Sequence, residues 1–198
     1  MRPPRLRPLR LFEHISTDGV IQNSADGGDF PYTDWTAPYR SAAGRDAIIA
    51  AQGENFDLLL GRRTYDIWSG YWPKAPRSPM ADSLNAARKY VATHRPETLD
   101  WGPVEAVGPD VAAEVRRIKS LSGPDLVLWG SSTLTSKLLD AGLVDDVILA
   151  VYPVLLGTGT RLLAAGSPAR AFRLISTQSF PSGVILNSYT IVGALDAG

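Results

Sequence analysis

Apolar residues along this chain follow two patterns that take turns. Short unbroken runs, such as Phe56-Asp57-Leu58-Leu59-Leu60 and Asp125-Leu126-Val127-Leu128-Trp129, mark strands buried on both faces. Between them, apolar positions recur at helical spacing: Val111, Val115 and Ile118, and again Leu134, Leu138 and Leu139, each fall on one face of a helix. Read from the start, a strand runs from Leu9 to Ser16 and ends at the Asp18-Gly19 turn. A loop rich in Gly, Asp and Pro covers 22–34, and a helix covers 36–52. Strand 56–60, helix 63–68, strands 89–93 and 104–107, helix 110–121 and strand 125–129 follow. A helix then opens at Gly130-Ser131-Ser132-Thr133, strand 145–151 comes next, and two last strands meet at Pro181-Ser182-Gly183.

Strands alternating with helices predict a mostly parallel central sheet with helices on both sides, a three-layer α-β-α architecture. The closing hairpin is antiparallel and makes the sheet mixed. Ligands of such sheets bind beyond the carboxyl ends of the strands. The expected organisation is one domain over 9–193, with frayed tails at 1–8 and 194–198.

Composition narrows the chemistry. Twenty basic residues balance twenty acidic ones in 198 residues, so no global field draws the chain to nucleic acid or an anionic membrane. With no cysteine, disulfides, thiolate metal sites and cysteine nucleophiles are excluded. Only two histidines, His14 and His94, are present, and no metal-ligand spacing surrounds them. No apolar run reaches membrane-spanning length. The basic start MRPPRLRPLR lacks the apolar core of a secretory signal. The expectation is a cytoplasmic protein without metal, membrane or nucleic-acid partner.

Two stretches carry the candidate chemistry. In LLLGRRTYDIW (58–68) a buried strand ends at Gly61 and passes into a helix. The amides of Arg62, Arg63 and Thr64 then stand at a helix N-terminus, a ready anion site, and two arginines add phosphate-matching geometry. LVLWGSSTL (126–134) repeats the arrangement, with Gly130, Ser131, Ser132 and Thr133 able to wrap a pyrophosphate. Either turn read alone is also an ordinary capped helix. Two such turns in one sheet point to one ligand with several phosphates. The missing Walker lysine and the incomplete GxGxxG pattern disfavour ATP hydrolysis and the standard dinucleotide fingerprint. Arg95, with His94, follows strand 89–93 and is a candidate for a ribose 2′-phosphate. Asp18 is a candidate near the reacting centre, or simply a turn residue. Trp35 is a candidate for stacking on a flat substrate, and Asp29, Asp34 and Asp46 are candidate substrate carboxylates.

Taken together, STDG after the first strand, LLLGRRTY, KYVATHR, LVLWGSSTL and AVYPVLLGTGTRLL resemble the dihydrofolate-reductase-like superfamily. Within it the chain is most similar to the reductase domain of the bifunctional riboflavin-biosynthesis deaminase/reductase and its stand-alone relatives. The resemblance runs from about Leu9 to Val192. It implies NADPH as cofactor, with Gly61, Arg62, Arg63 and Thr64 at the phosphates. Thr93, His94 and Arg95 would lie near the adenosine ribose, and Gly130 to Leu134, with Ser131, Ser132 and Thr133, at the pyrophosphate. It places Asp18 and Gly19 beside the nicotinamide and substrate, and Tyr152, Pro153, Leu156 and Gly157 along the substrate cleft. Asp46 is the nearest match to the pterin-binding acid of true dihydrofolate reductases, so Asp18 and Asp46 are the expected catalytic carboxylates. The implied activity is hydride transfer to a flat heterocycle, either a pyrimidine ribose phosphate of riboflavin biosynthesis or a dihydropterin. The alternative is an NADP(H)-binding protein of the same fold with little activity, and a nucleotide or sugar-phosphate transferase is a third reading. Relatives pair through sheet edges, so a homodimer is expected.

Overall fold

The computed structural model describes residues 6–24 and 28–195. Its strands are β1 (Leu9–Ser16), β2 (Phe56–Gly61), β3 (Lys89–Ala92), β4 (Val104–Val107), β5 (Asp125–Trp129), β6 (Asp146–Tyr152), β7 (Arg170–Ser179) and β8 (Ile185–Ala194). The helices are α1 (Ala42–Gln52), α2 (Arg62–Tyr71), α3 (Pro79–Ala86), α4 (Val111–Ser120) and α5 (Ser132–Asp140). All eight strands join one sheet in the order β4-β3-β2-β5-β1-β6-β8-β7. The six from β4 to β6 pair in parallel, and β8 and β7 add on antiparallel. The mixed, mostly parallel sheet expected from the pattern is the one observed.

Alternation of side chains explains why the central runs are apolar throughout. Phe56, Leu58 and Leu60 of β2, with Val127 and Trp129 of β5, enter the core beneath α1, α2 and α3. Leu59, Leu126 and Leu128 point the other way and meet Val115 and Ile118 of α4 and Leu134 and Leu138 of α5. The sheet thus has helices on both faces. At its far edge β7 is different, because Phe172, Leu174 and Ile175 stay exposed.

Several boundaries differ from the sequence expectation, each for a local reason. The helix expected over 36–52 is two pieces: a 3-10 turn at Ala37–Tyr39, then α1. Ser41 lies between them in extended conformation and its hydroxyl accepts a hydrogen bond from the Gly44 amide at 3.0 Å, which starts α1 there. Helix α3 was not anticipated. It is only eight residues long, too short for a clear period, but Ser78 caps it and Pro79 occupies its first position. The helix expected over 110–121 begins at Val111 because Asp110 is its cap, accepting from the Ala113 amide at 3.0 Å.

The expected tail at 1–8 is corrected where it is described. Arg7 is only 4% exposed. Its guanidinium reaches Asp57 at 2.5 Å and the Pro124 carbonyl at 2.6 Å, tying the start of β1 to β2 and β5. Residues 1–5 and 196–198, also read as tails, lie outside the described residues. Among the described residues no helix is long and apolar enough to cross a membrane.

Removing one partner of a buried ion pair strands the other. Arg7→Ala leaves Asp57 without its cation and is expected to cost on the order of 3 kcal/mol of stability. Urea unfolding measures this; a cost within about 0.5 kcal/mol, the range of ordinary surface substitutions, would show that Arg7 is not an anchor.

Candidate active site

A cavity of about 1150 Å³ opens at the carboxyl ends of β1, β2, β5 and β6. Its rim is built from the turns that leave β2 and β5. These strands are parallel neighbours, with Leu60 opposite Trp129, so Gly61 and Gly130 emerge side by side. The two turns touch. A Cβ on Gly61 would lie 2.1 Å from Ser131 Oγ, and one on Gly130 would lie 2.5 Å from Thr64 Oγ1. Gly130 and Ser131 both have positive φ, +66° and +68°. Only glycine takes such a conformation at little cost, and Ser131 is one of two non-glycine residues outside the usual region among those described.

The helices that follow these turns are set apart by their ends. Helices α1, α3 and α4 are each capped by a side chain, Ser41, Ser78 and Asp110. Neither α2 nor α5 has a side-chain cap. Both helices thus start without a side-chain cap, and both ends face the same cavity, which Arg63, Thr64, Ser131, Ser132 and Thr133 line. The capped-helix reading of the two turns does not hold.

Deeper in, the walls are apolar: Ile48, Trp68, Trp72, Met80, Leu84, Trp129 and Phe180. The polar groups among them are held uncharged. His14 Nδ1 lies 2.9 Å from Tyr152 Oη. Burial, reinforced by the charge of Arg40, pushes the His14 imidazole down to about 4. Burial also drives the Tyr152 phenol up to about 12. Glu13, next to His14 on β1, is 4% exposed. Burial raises its carboxyl to about 8, against a hydrogen bond from the Gly130 backbone that favours the ion. At the mouth Asp34 pairs with Arg40. The buried Gln52 of α1 accepts the Trp129 indole N–H at 3.2 Å.

The expected site residues divide. Arg63, Thr64 and Gly130 to Thr133 gather at the cavity rim, Gly61 lies behind them against Ser131, and Tyr152 sits in the floor. Leu134 does not belong with them, because its side chain is buried beneath α5. Arg62 turns away to bond Asp66, Thr93 Oγ1 and the Arg95 carbonyl, stapling 93–95 to α2. His94 and Arg95 are exposed. Trp35 is a core residue: its indole N–H donates to the Gln22 carbonyl at 2.7 Å and its ring meets Tyr152 edge-on. Asp46 points into solvent, 69% exposed and beside Arg45. Asp29 is exposed, and neither it nor Asp46 lines the cavity.

Asp18 is a clamp. One oxygen accepts from Ser16 Oγ at 2.6 Å and the Leu156 amide at 3.1 Å, and the other from the Gly157 amide at 2.8 Å. Those bonds, Ser16's first, hold it down to about 2. It fixes the Gly19 turn to the segment after β6, where Pro153, Leu156 and Gly157 stand beside the cleft without lining it. An ionised carboxylate so engaged is a poor proton donor. Glu13, Arg40, Gln52 and the pairing of His14 with Tyr152 were missed or read as packing; no spacing rule links residues that only the sheet register brings together.

Asp18→Ala frees the two amides and is expected to lower Tm at pH 7. A carboxylate depressed from 3.8 to about 2 stabilises the fold above 3.8, and that contribution disappears as pH falls toward 2. The gap between wild type and Asp18→Ala is therefore expected to close over that window in thermal melts; a pH-independent gap contradicts the clamp.

The RibD C-terminal domain family model matches residues 9–186. Two Bacillus subtilis (strain 168) proteins, both described as uncharacterized, are similar. YyaP is 28% identical over 132 residues, 65% of this chain and 70% of its own. YwjB is 25% identical over 181 residues, 91% of this chain and 97% of its own. Among solved structures, dihydrofolate reductase from Enterococcus faecalis, complexed with NADP(H) and RAB-propyl, superposes with a TM-score of 0.60 at 13% identity, covering 93% of this chain and 96% of that one. Acinetobacter baumannii RibD superposes with a TM-score of 0.62 at 18% identity, covering 94% of this chain and 58% of that one. The chain belongs to the RibD C-terminal domain family and has the dihydrofolate-reductase-like fold.

Proposed function

We propose that this protein is an NADPH-dependent reductase that acts on a small flat heterocycle. The observation that carries the reading is the pair of abutting, uncapped helix starts at Gly61 and Gly130. Their amides fit a diphosphate, and the space that a Cβ would fill at either glycine is where the turns already meet, so the chain comes close without side-chain obstruction. Arg95, exposed and 3.6 Å from Asp66, is our candidate for a ribose 2′-phosphate, with His94 next to it in sequence. The family match and the NADP(H) bound by the Enterococcus enzyme support the same cofactor.

NADPH would supply the hydride. The chain's own part is to bind, orient and exclude water. Trp68, Trp72, Trp129 and Phe180 form a dry wall for a flat ring. Neither Asp18 nor Asp46 is placed to give a proton. The candidate donor is Tyr152 Oη at the cleft floor, uncharged at neutral pH and hydrogen-bonded to the neutral His14 ring. No acidic residue of α1 lines the cavity, where dihydrofolate reductases carry their substrate-binding acid, which favours pyrimidine-like over folate-like substrates. The same gap favours, as the second reading, an NADP(H)-binding protein with little turnover. The exposed apolar strip of β7 supports pairing of two copies; sedimentation velocity checks this, and a single species at the 21.3 kDa of one chain would rule it out.

Titration with NADPH and with NADH, followed by tryptophan fluorescence, tests the cofactor. NADPH is expected to bind at least about tenfold tighter, about 1.4 kcal/mol. If neither binds, the reductase reading fails. Pterins and aminopyrimidines are then screened for NADPH oxidation, where Tyr152→Phe is expected to slow turnover about 10²-fold. Binding without oxidation of any of them supports the second reading.

A further inference from the structure

Among the described residues, Glu13 carries one of the few buried side-chain polar atoms without a hydrogen-bond partner. It lies in β1 opposite Leu149 of β6, is 4% exposed, and lines the same cavity as Gly130, Ser131 and Ser132. The Gly130 backbone stands against its carboxyl and favours the ion, but Oε1 has no hydrogen-bond partner. A buried oxygen left unpaired costs the desolvation of that group. Because Glu13 lines the cavity, a group that enters the cavity can supply that partner.

The partner can be identified from charge. The carboxyl stands at the start of α5, where the uncapped amides favour an anion. A carboxylate there would repel that anion. A neutral carboxyl would not: the oxygen held by Gly130 serves as acceptor, and Oε1, carrying the proton, is a donor in need of an anionic oxygen. We propose that the Glu13 carboxyl, in its protonated form, is a third side of the diphosphate cradle, donating a hydrogen bond from Oε1 to a phosphate oxygen seated at the Gly130 turn. This rests on the nucleotide reading above. It makes nucleotide affinity depend on a proton held beneath the site.

No charged side chain near Glu13 stands in for that proton. On β1, Arg10 bonds Asp125 at 2.5 Å and His14 is neutral. On β6, Asp146 lies opposite Arg10, three residues before Leu149. On α5, Lys137 and Asp140 come in its second half. Asp18, beyond the end of β1, is engaged with Ser16, Leu156 and Gly157. The cations lining the cavity are Arg63, across the turn, and Arg40 and Arg45. The carboxyl's rise to about 8 comes from burial, which puts its titration where it is measurable.

The test measures the affinity of NADPH and, separately, of ADP between pH 7 and 9, above the phosphate titration near about 6. Wild type, Glu13→Gln and Glu13→Met are compared. For wild type, the free protein loses the proton as pH rises through about 8 while the bound form keeps it, so both ligands are expected to bind about tenfold more weakly at pH 9 than at pH 7. In both variants affinity is expected to be flat across that range, with Glu13→Gln, which still donates, binding tighter than Glu13→Met. A flat wild-type profile, or a slope that survives in both variants, overturns the proposal while leaving the cofactor reading intact. If ADP shows the Glu13-dependent slope but NADPH does not bind, the proposal stands and the reductase reading fails. If neither ligand binds at any pH, both fail.

Discussion

The contact between the two glycine turns is the constraint on which the rest depends. Parallel neighbours β2 and β5 deliver their following residues to the same place. The chain must leave each strand and start a helix with no room for a Cβ on either side. Glycine at 61 and 130 makes that possible, and the left-handed conformation at Gly130 and Ser131 reverses the chain between β5 and α5. The consequence is electrostatic. Two helix starts without caps converge on one cavity, so the N-terminal ends of two helix dipoles add there. The other three helices satisfy their ends with their own side chains, so the fold does not lack caps in general; it lacks them where a ligand would be bound.

The interior of the cavity follows a second rule: buried polar groups are kept neutral. His14, Tyr152 and Glu13 are each shifted toward their uncharged forms, chiefly by burial. Charged groups are confined to the mouth, where Asp34 meets Arg40, or are fully engaged, as Asp18 is. A dry pocket of neutral donors and acceptors suits an uncharged ring and keeps its electrostatics strong.

Most of this architecture was legible in the chain. Buried runs such as 56–60 and 125–129 announce interior parallel strands, and a glycine directly after each announces the turn. The rest depends on what no local pattern records. Helix α3 is too short to show a period, and Arg7 looks like part of a basic tail until Asp57 is brought beside it. Asp46 was singled out by spacing along α1, but spacing does not say which face of the helix meets the cavity, and this residue faces water. Leu134 continues a run of polar rim residues, yet it is the first residue of α5 whose direction is toward the core. Glu13 and His14 are adjacent in sequence on opposite faces of β1, and their neighbours, Gly130 and Tyr152, come from the β5–α5 turn and from β6; only the sheet register joins them.

The central claim is that both uncapped helix starts hold one nucleotide. Amide chemical shifts in ¹⁵N-labelled protein, followed as NADPH is added, test it directly. The account predicts that the largest changes fall together on Arg63 and Thr64 of α2 and on Ser131, Ser132 and Thr133 of the β5–α5 turn. Saturable binding that leaves either set of amides unmoved would contradict it.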